Sequence, residues 1–130
     1  MKIWLAALAA LIALPAKASD LESVARGAEL WAKCQACHTL AAGGRHTVGP
    51  NLHKLFGSKA GTRPGYRYSD VMKNSGVIWT EQAIDGFIAA TQDFMPGSKM
   101  YGGLAIDQDR IDLIAWLKAV EAGMAPPPAR

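Results

Sequence analysis

Cys34, Cys37 and His38 concentrate the chemistry of this 130-residue chain in five positions, Cys34-Gln35-Ala36-Cys37-His38. Two thiols three positions apart can add to the two vinyl groups of one porphyrin. The imidazole that follows then sits under the ring facing its iron. In an exported chain such a run reads as a c-type haem attachment site, supplying two covalent tethers and one axial ligand. The remaining imidazole nitrogen should donate to a carbonyl, which fixes the tautomer and raises ligand basicity.

Three other chemistries use similar residues. A thioredoxin-like redox pair has the same cysteine spacing but belongs in a βαβ setting, and no strand-turn-helix alternation surrounds these residues. A structural disulfide suits an oxidising compartment. Zinc would need four ligands, and with two cysteines the site would have to recruit His38, His46 or His53 from unfavourable spacings.

The second axial position has several candidates: Met72, Met95, Met100, Met124, His46 and His53. Methionine is ordinarily a gap-filler in the core. Met100 stands out because it lies in Met95-Pro96-Gly97-Ser98-Lys99-Met100-Tyr101-Gly102-Gly103, a loop able to carry a side chain to the face opposite His38. Spacing alone favours it over Met95 only modestly.

The elements that must position these groups begin with an export signal. Met1-Lys2 is positive, Ile3 to Leu14 is an apolar run, Pro15 breaks it, and Ala16-Lys17-Ala18 supplies small residues, which predicts a secretory signal peptide cleaved after Ala18. The apolar run is shorter than the roughly 20 residues a membrane span needs. No later segment is apolar enough to span, so the mature protein is expected to be exported and free of the membrane. Lys2 and Lys17 leave with the peptide, so residues 19–130 keep 12 basic and 11 acidic groups, a net charge of +1. That near-balance gives no reason to expect a nucleic-acid partner. Its distribution is uneven: Lys33, Arg45, Lys54, Lys59, Arg63, Arg67 and Lys73 face Asp70 alone within residues 33–73, whereas residues 74–130 hold seven acids and four bases. Such a dipole can steer a partner.

The mature chain is short enough for one domain. Ser19 to Glu22 fits a capping box, and Val24, Gly27, Ala28 and Trp31 recur at helical spacing, so a first helix should run into Cys34. Residues 41–69, rich in glycine and holding Pro50 and Pro64, read as long loops, which a compact domain seldom keeps unless they are functional. Ser69 or Asp70 could cap a short helix to Asn74. Thr80 could cap a longer one with Ile84, Phe87 and Ile88 inward, and Asp107 a last one with Leu113, Trp116, Leu117 and Val120 on one face. Gly123 ends it and Pro126-Pro127-Pro128 makes a loose tail. With no convincing strand, the chain reads as all-α with loops.

From Gly27 to Leu117 the sequence resembles the class I cytochromes c of bacteria and mitochondria. The resemblance is carried by Gly27 to Trp31 before the Cys34–His38 run, Gly49-Pro50-Asn51-Leu52, Gly57-Ser58-Lys59-Ala60-Gly61, Gly65-Tyr66-Arg67-Tyr68-Ser69-Asp70, Gly76-Val77-Ile78-Trp79, Pro96-Gly97-Ser98-Lys99-Met100, and the last helix with Trp116. It implies an all-α cytochrome c fold, with first and last helices crossing near Gly27 and Trp116 and loops wrapped around one covalent haem c. It further implies thioethers at Cys34 and Cys37, axial ligation by His38 and Met100, a Pro50 carbonyl receiving the His38 proton, and Tyr68 and Trp79 hydrogen-bonded to a buried propionate. His46 would be a structural loop residue. The expected organisation is a signal peptide at 1–18, the haem domain at 19–122 and a Gly/Pro-rich tail at 123–130.

Met/His ligation leaves no open position on iron and raises its potential, so the function implied is electron carriage, not catalysis. The expected protein is a monomeric periplasmic carrier of a respiratory chain, working between a quinol:cytochrome c reductase and an oxidase or photosynthetic reaction centre. The alternative is a dedicated acceptor or haem subunit of one periplasmic dehydrogenase acting on sulfite, an alcohol or an amine. Several positions depart from the family: Phe87 where relatives often have Tyr, Ser58 in place of a propionate-binding Arg, and Met72 in place of Asn. The usual lysine pair falls at Gln92-Asp93, and later lysines give way to Ala105, Ile106 and Asp107, while Lys33 and Lys99 remain. Rim charges set association rate and partner choice, so these changes bear on the partner.

Overall fold

The first helix sets the geometry of everything that follows it. A computed structural model describes residues 17–128; the signal peptide expected at 1–18 lies outside the described residues except for Lys17 and Ala18, as does the end of the tail. Helix α1 spans Ala18–Leu30 and tightens into a 3-10 turn at Trp31–Lys33. After a long loop region come α2 (Asp70–Lys73), α3 (Glu81–Ala89), α4 (Thr91–Phe94) and α5 (Asp107–Glu121). Among the described residues the only extended pairing is a single antiparallel bridge between Lys59 and Ile78. The all-α expectation holds.

Helices α1 and α5 pack directly on each other at Gly27. A Cβ there would stand 2.0 Å from the Asp112 carbonyl oxygen and 2.6 Å from Trp116 Cβ, so only a residue without a side chain permits this approach. Trp31 and Trp116 then meet with ring centroids 5.6 Å apart, tilted at 41°. Such a pair contributes about 1 kcal/mol beyond its burial. Asp112, only 1% exposed, accepts from Ser23 Oγ at 2.5 Å and from Arg26 Nε at 2.7 Å, so the crossing has a polar bolt beside its apolar one.

The core divides in two. Trp31, Leu40, Leu104, Leu113, Trp116 and Leu117 form one cluster around the crossing, and Leu55, Ala60, Trp79, Ile84, Phe87, Met95 and Ile114 form the other. Leu52, Phe56 and Ile88 pack against both. Ile84 and Phe87 of α3 are buried and Ile88 half-buried, following the expected inward stripe. Ser69 caps α2 by accepting from the Met72 amide, and Thr80 caps α3 by accepting from the Ala83 amide.

Two local expectations are corrected. The capping box at Ser19 does not form: α1 starts two residues earlier than that cap would place it, with Lys17 in the cap position, so Ser19 already lies within the first turn and Asp20 brings the negative charge there. Asp107 does not cap α5; Ile106 holds the extended cap position, and the Asp107 carboxylate instead accepts from the Arg110 guanidinium at 2.7 Å. Gly123 ends α5 as expected, in the left-handed region at φ 72°. Gly123 and Met124 donate to the carbonyls of Val120 and Ala119 at 3.0 and 2.7 Å, closing the helix end and turning Ala125 onto the Trp31–Trp116 cluster.

Candidate haem site

The 3-10 turn carries the chain from α1 into the cysteines. Cys34 donates to the Trp31 carbonyl at 2.8 Å, and the amides of Cys37 and His38 both return to the Cys34 carbonyl at 3.0 Å. The pentapeptide is thus one tight turn, and Cys34, Cys37 and His38 all line the same cavity. Both cysteines are free thiols. Burial, helped by the adjacent Cys37 and opposed by Lys33, pushes the Cys34 thiol up to about 11. A redox-active pair requires the reverse, a depressed thiol. Among the described residues no group of three His, Cys, Asp or Glu side chains is placed to hold a metal ion.

His38 is held by the loop that follows. Its Nδ1 lies 2.7 Å from the Pro50 carbonyl, which accepts only an N–H, so Nδ1 carries the proton and Nε2 keeps a free lone pair. Burial lowers the His38 pKa against the opposing pull of the Pro50 carbonyl, favouring the neutral ring that metals bind. A Cβ on Gly49 would stand 2.4 Å from His38 Cε1, so the imidazole rests directly on bare backbone.

The Gly49 amide donates to Cys37 O at 2.7 Å, and Thr47 Oγ1 donates to the same carbonyl at 2.5 Å. Buried Asn51 completes the loop, donating to Thr39 Oγ1 at 2.8 Å and Ala41 O at 2.9 Å. His46 is a strut: it accepts from the Asn51 amide at 3.0 Å through Nδ1, and its Nε2 donates to Pro64 O at 2.9 Å. Gly49 and Asn51 appear in the sequence only as parts of a motif, and the contact of Gly49 with His38 and the bonds of Asn51 to Thr39 and Ala41 are visible only in three dimensions.

The cavity encloses about 310 Å³. Its walls are mainly apolar, taking Trp31, Leu113 and Leu117 from one core cluster and Leu55, Trp79, Ile84 and Phe87 from the other. Tyr66, Tyr68, Arg63, Lys59 and Lys99 also line it. Tyr66 donates to Val48 O at 2.7 Å, and Tyr68 packs edge-on to it with centroids 4.8 Å apart. Burial raises the Tyr68 pKa, with the Arg63 backbone the main opposing influence, so the phenol remains a donor. Ser58, also on the wall, spends its hydroxyl on Leu55 O at 2.6 Å.

Of the methionine candidates, Met100 and Met72 line the cavity. Met95 is packed into the second core cluster at 4% exposure, which separates it from Met100 where spacing could not. Met124 is 81% exposed on the far end of α5. His53 lines no part of the cavity, and the seven residues expected at the site, Cys34, Cys37, His38, Pro50, Tyr68, Trp79 and Met100, all do.

A porphyrin fits what these residues offer. Two free thiols and a neutral imidazole with a free nitrogen stand in one wall turn, a thioether reaches the same enclosed apolar space, and cations and phenols supply partners for carboxylates. The cytochrome c family model matches residues 24–121. The chain belongs to the cytochrome c family. It is similar to the cytochrome c of Sesamum indicum, 46% identical over 91 residues that cover 69% of this chain and 82% of the relative. It is also similar to two cytochromes c2: that of Rhodomicrobium vannielii, 42% identical over 71% of this chain and 74% of the relative, and that of Blastochloris viridis, 40% identical over 83% and 84%. Members of this family carry haem c bound through cysteine, and Cys34 and Cys37 are the two cysteines of the sequence. The chain is therefore an electron-transfer haem protein and a carrier, not an enzyme, whose work is done with redox partners. No helix among the described residues is long and apolar enough to cross a membrane.

Proposed function

We propose that this cytochrome is a periplasmic shuttle, taking electrons from a quinol-oxidising complex and delivering them to an oxidase or reaction centre, with His38 and Met100 as the two axial ligands. The observation that carries the reading is that His38, with its Nε2 free, and the Met100 thioether line one apolar cavity as its nitrogen and soft donors. When bound, the haem supplies one-electron exchange at an iron whose potential Met/His ligation raises. The chain's own residues do the rest. Cys34 and Cys37 tether the ring, Pro50 and Gly49 orient the imidazole, and the apolar walls exclude water. Tyr68 and Trp79 hold a propionate. An iron held by His38 and Met100 would have no position left for a substrate.

Export through a signal peptide ending at Ala18 is part of the same proposal, since the basic, apolar and small-residue segments occur in the order that export requires. The rim cations Lys59, Arg63 and Lys99 at the cavity suit an acidic docking face. A second reading, the haem subunit of one periplasmic dehydrogenase, is favoured by Gln92, Asp93, Ala105, Ile106 and Asp107 standing where relatives carry lysines. Stopped-flow oxidation of the reduced holoprotein by membranes bearing a terminal oxidase separates them. Fast, multiple-turnover, salt-sensitive exchange supports the shuttle; negligible exchange combined with stoichiometric co-purification with one dehydrogenase supports the second.

A further inference from the structure

The loop that bears Met100 is held from beneath by one side chain that family resemblance would have made a lysine. Gln92, in the second position of α4, directs its carboxamide into the loop. Its Nε2 lies 3.0 Å from Ser98 O, 3.1 Å from Ser98 Oγ and 2.9 Å from Met100 O, and its Oε1 accepts from the Gly97 amide at 3.2 Å. Both ends of one planar group are therefore used on a four-residue stretch. The amide has two hydrogens for three acceptors, so the bonds to Ser98 are shared.

Ser98, within the stretch, is only 1% exposed, so the bonds it receives from Gln92 are shielded from water. Gln92 itself is anchored, because Thr91 beside it is buried and Phe94 packs on Phe87 with centroids 5.9 Å apart. Nearby, buried Phe87 offers an aromatic ring with no hydroxyl, so no donor reaches the Met100 sulfur from that side chain. The other side-chain restraint on the loop is Lys99 Nζ, which donates to Arg67 O at 2.5 Å from an exposed position.

We propose that Gln92 is a positioning residue, whose carboxamide clamps residues 97–100 so that the Met100 sulfur is presented to the iron. This rests on the reading that Met100 is the second axial ligand. A lysine at this position could donate to the carbonyls but could not accept from Gly97. A carboxylate could accept from Gly97 but would turn an oxygen on the carbonyls of Ser98 and Met100. The chain thus gains loop order at the expense of a rim charge.

The test uses the ferric and ferrous holoprotein and the variants Gln92→Ala and Gln92→Glu at pH 7. The readouts are hydrogen exchange of the Gly97 amide and the temperature at which the far-red sulfur-to-ferric-haem band disappears. The Ala variant should exchange Gly97 roughly tenfold faster, the effect of losing one well-formed bond in this setting. Its band should vanish at a lower temperature, while the amides of Leu113 and Trp116 in α5 stay as protected as in the parent. The Glu variant, equal in size, should keep Gly97 protected yet lose the band early, an outcome that packing alone would not produce. Should the Ala variant fail to fold, the Glu variant carries the test by itself. Band stability equal to the parent's in the variants that fold would overturn the clamp. A parent with no such band would overturn the ligation reading and the clamp with it.

Discussion

At the scale of single residues the site depends on what is missing as much as on what is present. The His38 ring lies against Gly49 with no space for a methyl group, so Gly49→Ala should push the imidazole off its Pro50 partner. The expected result is holoprotein with a disordered fifth ligand, seen as a mixed or high-spin ferric absorption spectrum, while a spectrum identical to the parent's would show that the ring has freedom the packing denies it. Cys34, Cys37, His38 and Met100 could be picked out from residue type because each brings an atom suited to porphyrin or iron. Gly49, Asn51 and Gln92 could not, since their contribution is a contact made 6 to 12 residues away: Gln92 to Ser98, Asn51 to Thr39. Met95 and Met100 were nearly equivalent by spacing and are separated only by burial, one in the core and one on the cavity wall.

Helices supply the frame, and their crossing point is where substitution should cost most. Gly27→Ala would force a Cβ into the Asp112 carbonyl at 2.0 Å, so α1 and α5 must part. Overpacking of backbone at such a contact should cost about 3 kcal/mol, read as a lower denaturant midpoint of the holoprotein, and an unchanged midpoint would contradict the crossing. The neighbouring Asp112 makes the same joint pH-dependent. Arg26 above all, then Ser23 and Gln108, hold its carboxyl at about 2 against an ordinary 3.8 despite the opposing effect of burial. Because the folded value is the lower one, the stabilisation is complete above pH 4 and disappears as pH falls towards 2. Asp112→Asn should therefore lose roughly 2 kcal/mol at pH 6 and converge with the parent near pH 2, a convergence that unfolding midpoints across that range would reveal or refute. The helical periods of α3 and α5 are legible because buried residues recur along one face, Ile84 and Phe87 in α3 and Leu113, Trp116 and Leu117 in α5, whereas α1 buries Gly27 alone and leaves Ala28 exposed. Helix starts are less legible: Ser19 and Asp107 are good caps by type, but the chain enters α1 two residues and α5 one residue earlier than those caps allow, and Asp107 pairs with Arg110 instead. The four-residue α4 is too short to show any period; in the structure Phe94 packs on Phe87 and the Phe94 and Met95 amides close the turn on Ala90 O and Thr91 O.

The whole molecule is an asymmetric charge distribution around an enclosed redox site. Bases crowd residues 33–73 and acids the C-terminal half, and Lys59, Arg63 and Lys99 reach the cavity from the rim. For an acidic partner, Lys59→Glu should lower the association rate severalfold at low salt and by much less at high salt, because rim charges act through screened attraction. Equal rates for parent and variant at every ionic strength would show that docking uses another face. The central claim, a closed haem held by His38 and Met100, is tested most directly by the absorption spectrum of the oxidised holoprotein beside that of Met100→Ala, each followed after reduction by exposure to carbon monoxide. The account predicts a weak far-red sulfur-to-iron band in the parent, its loss in the variant, and carbon monoxide binding by the variant alone. A parent that lacks the band, or that binds carbon monoxide as readily as the variant, would contradict it.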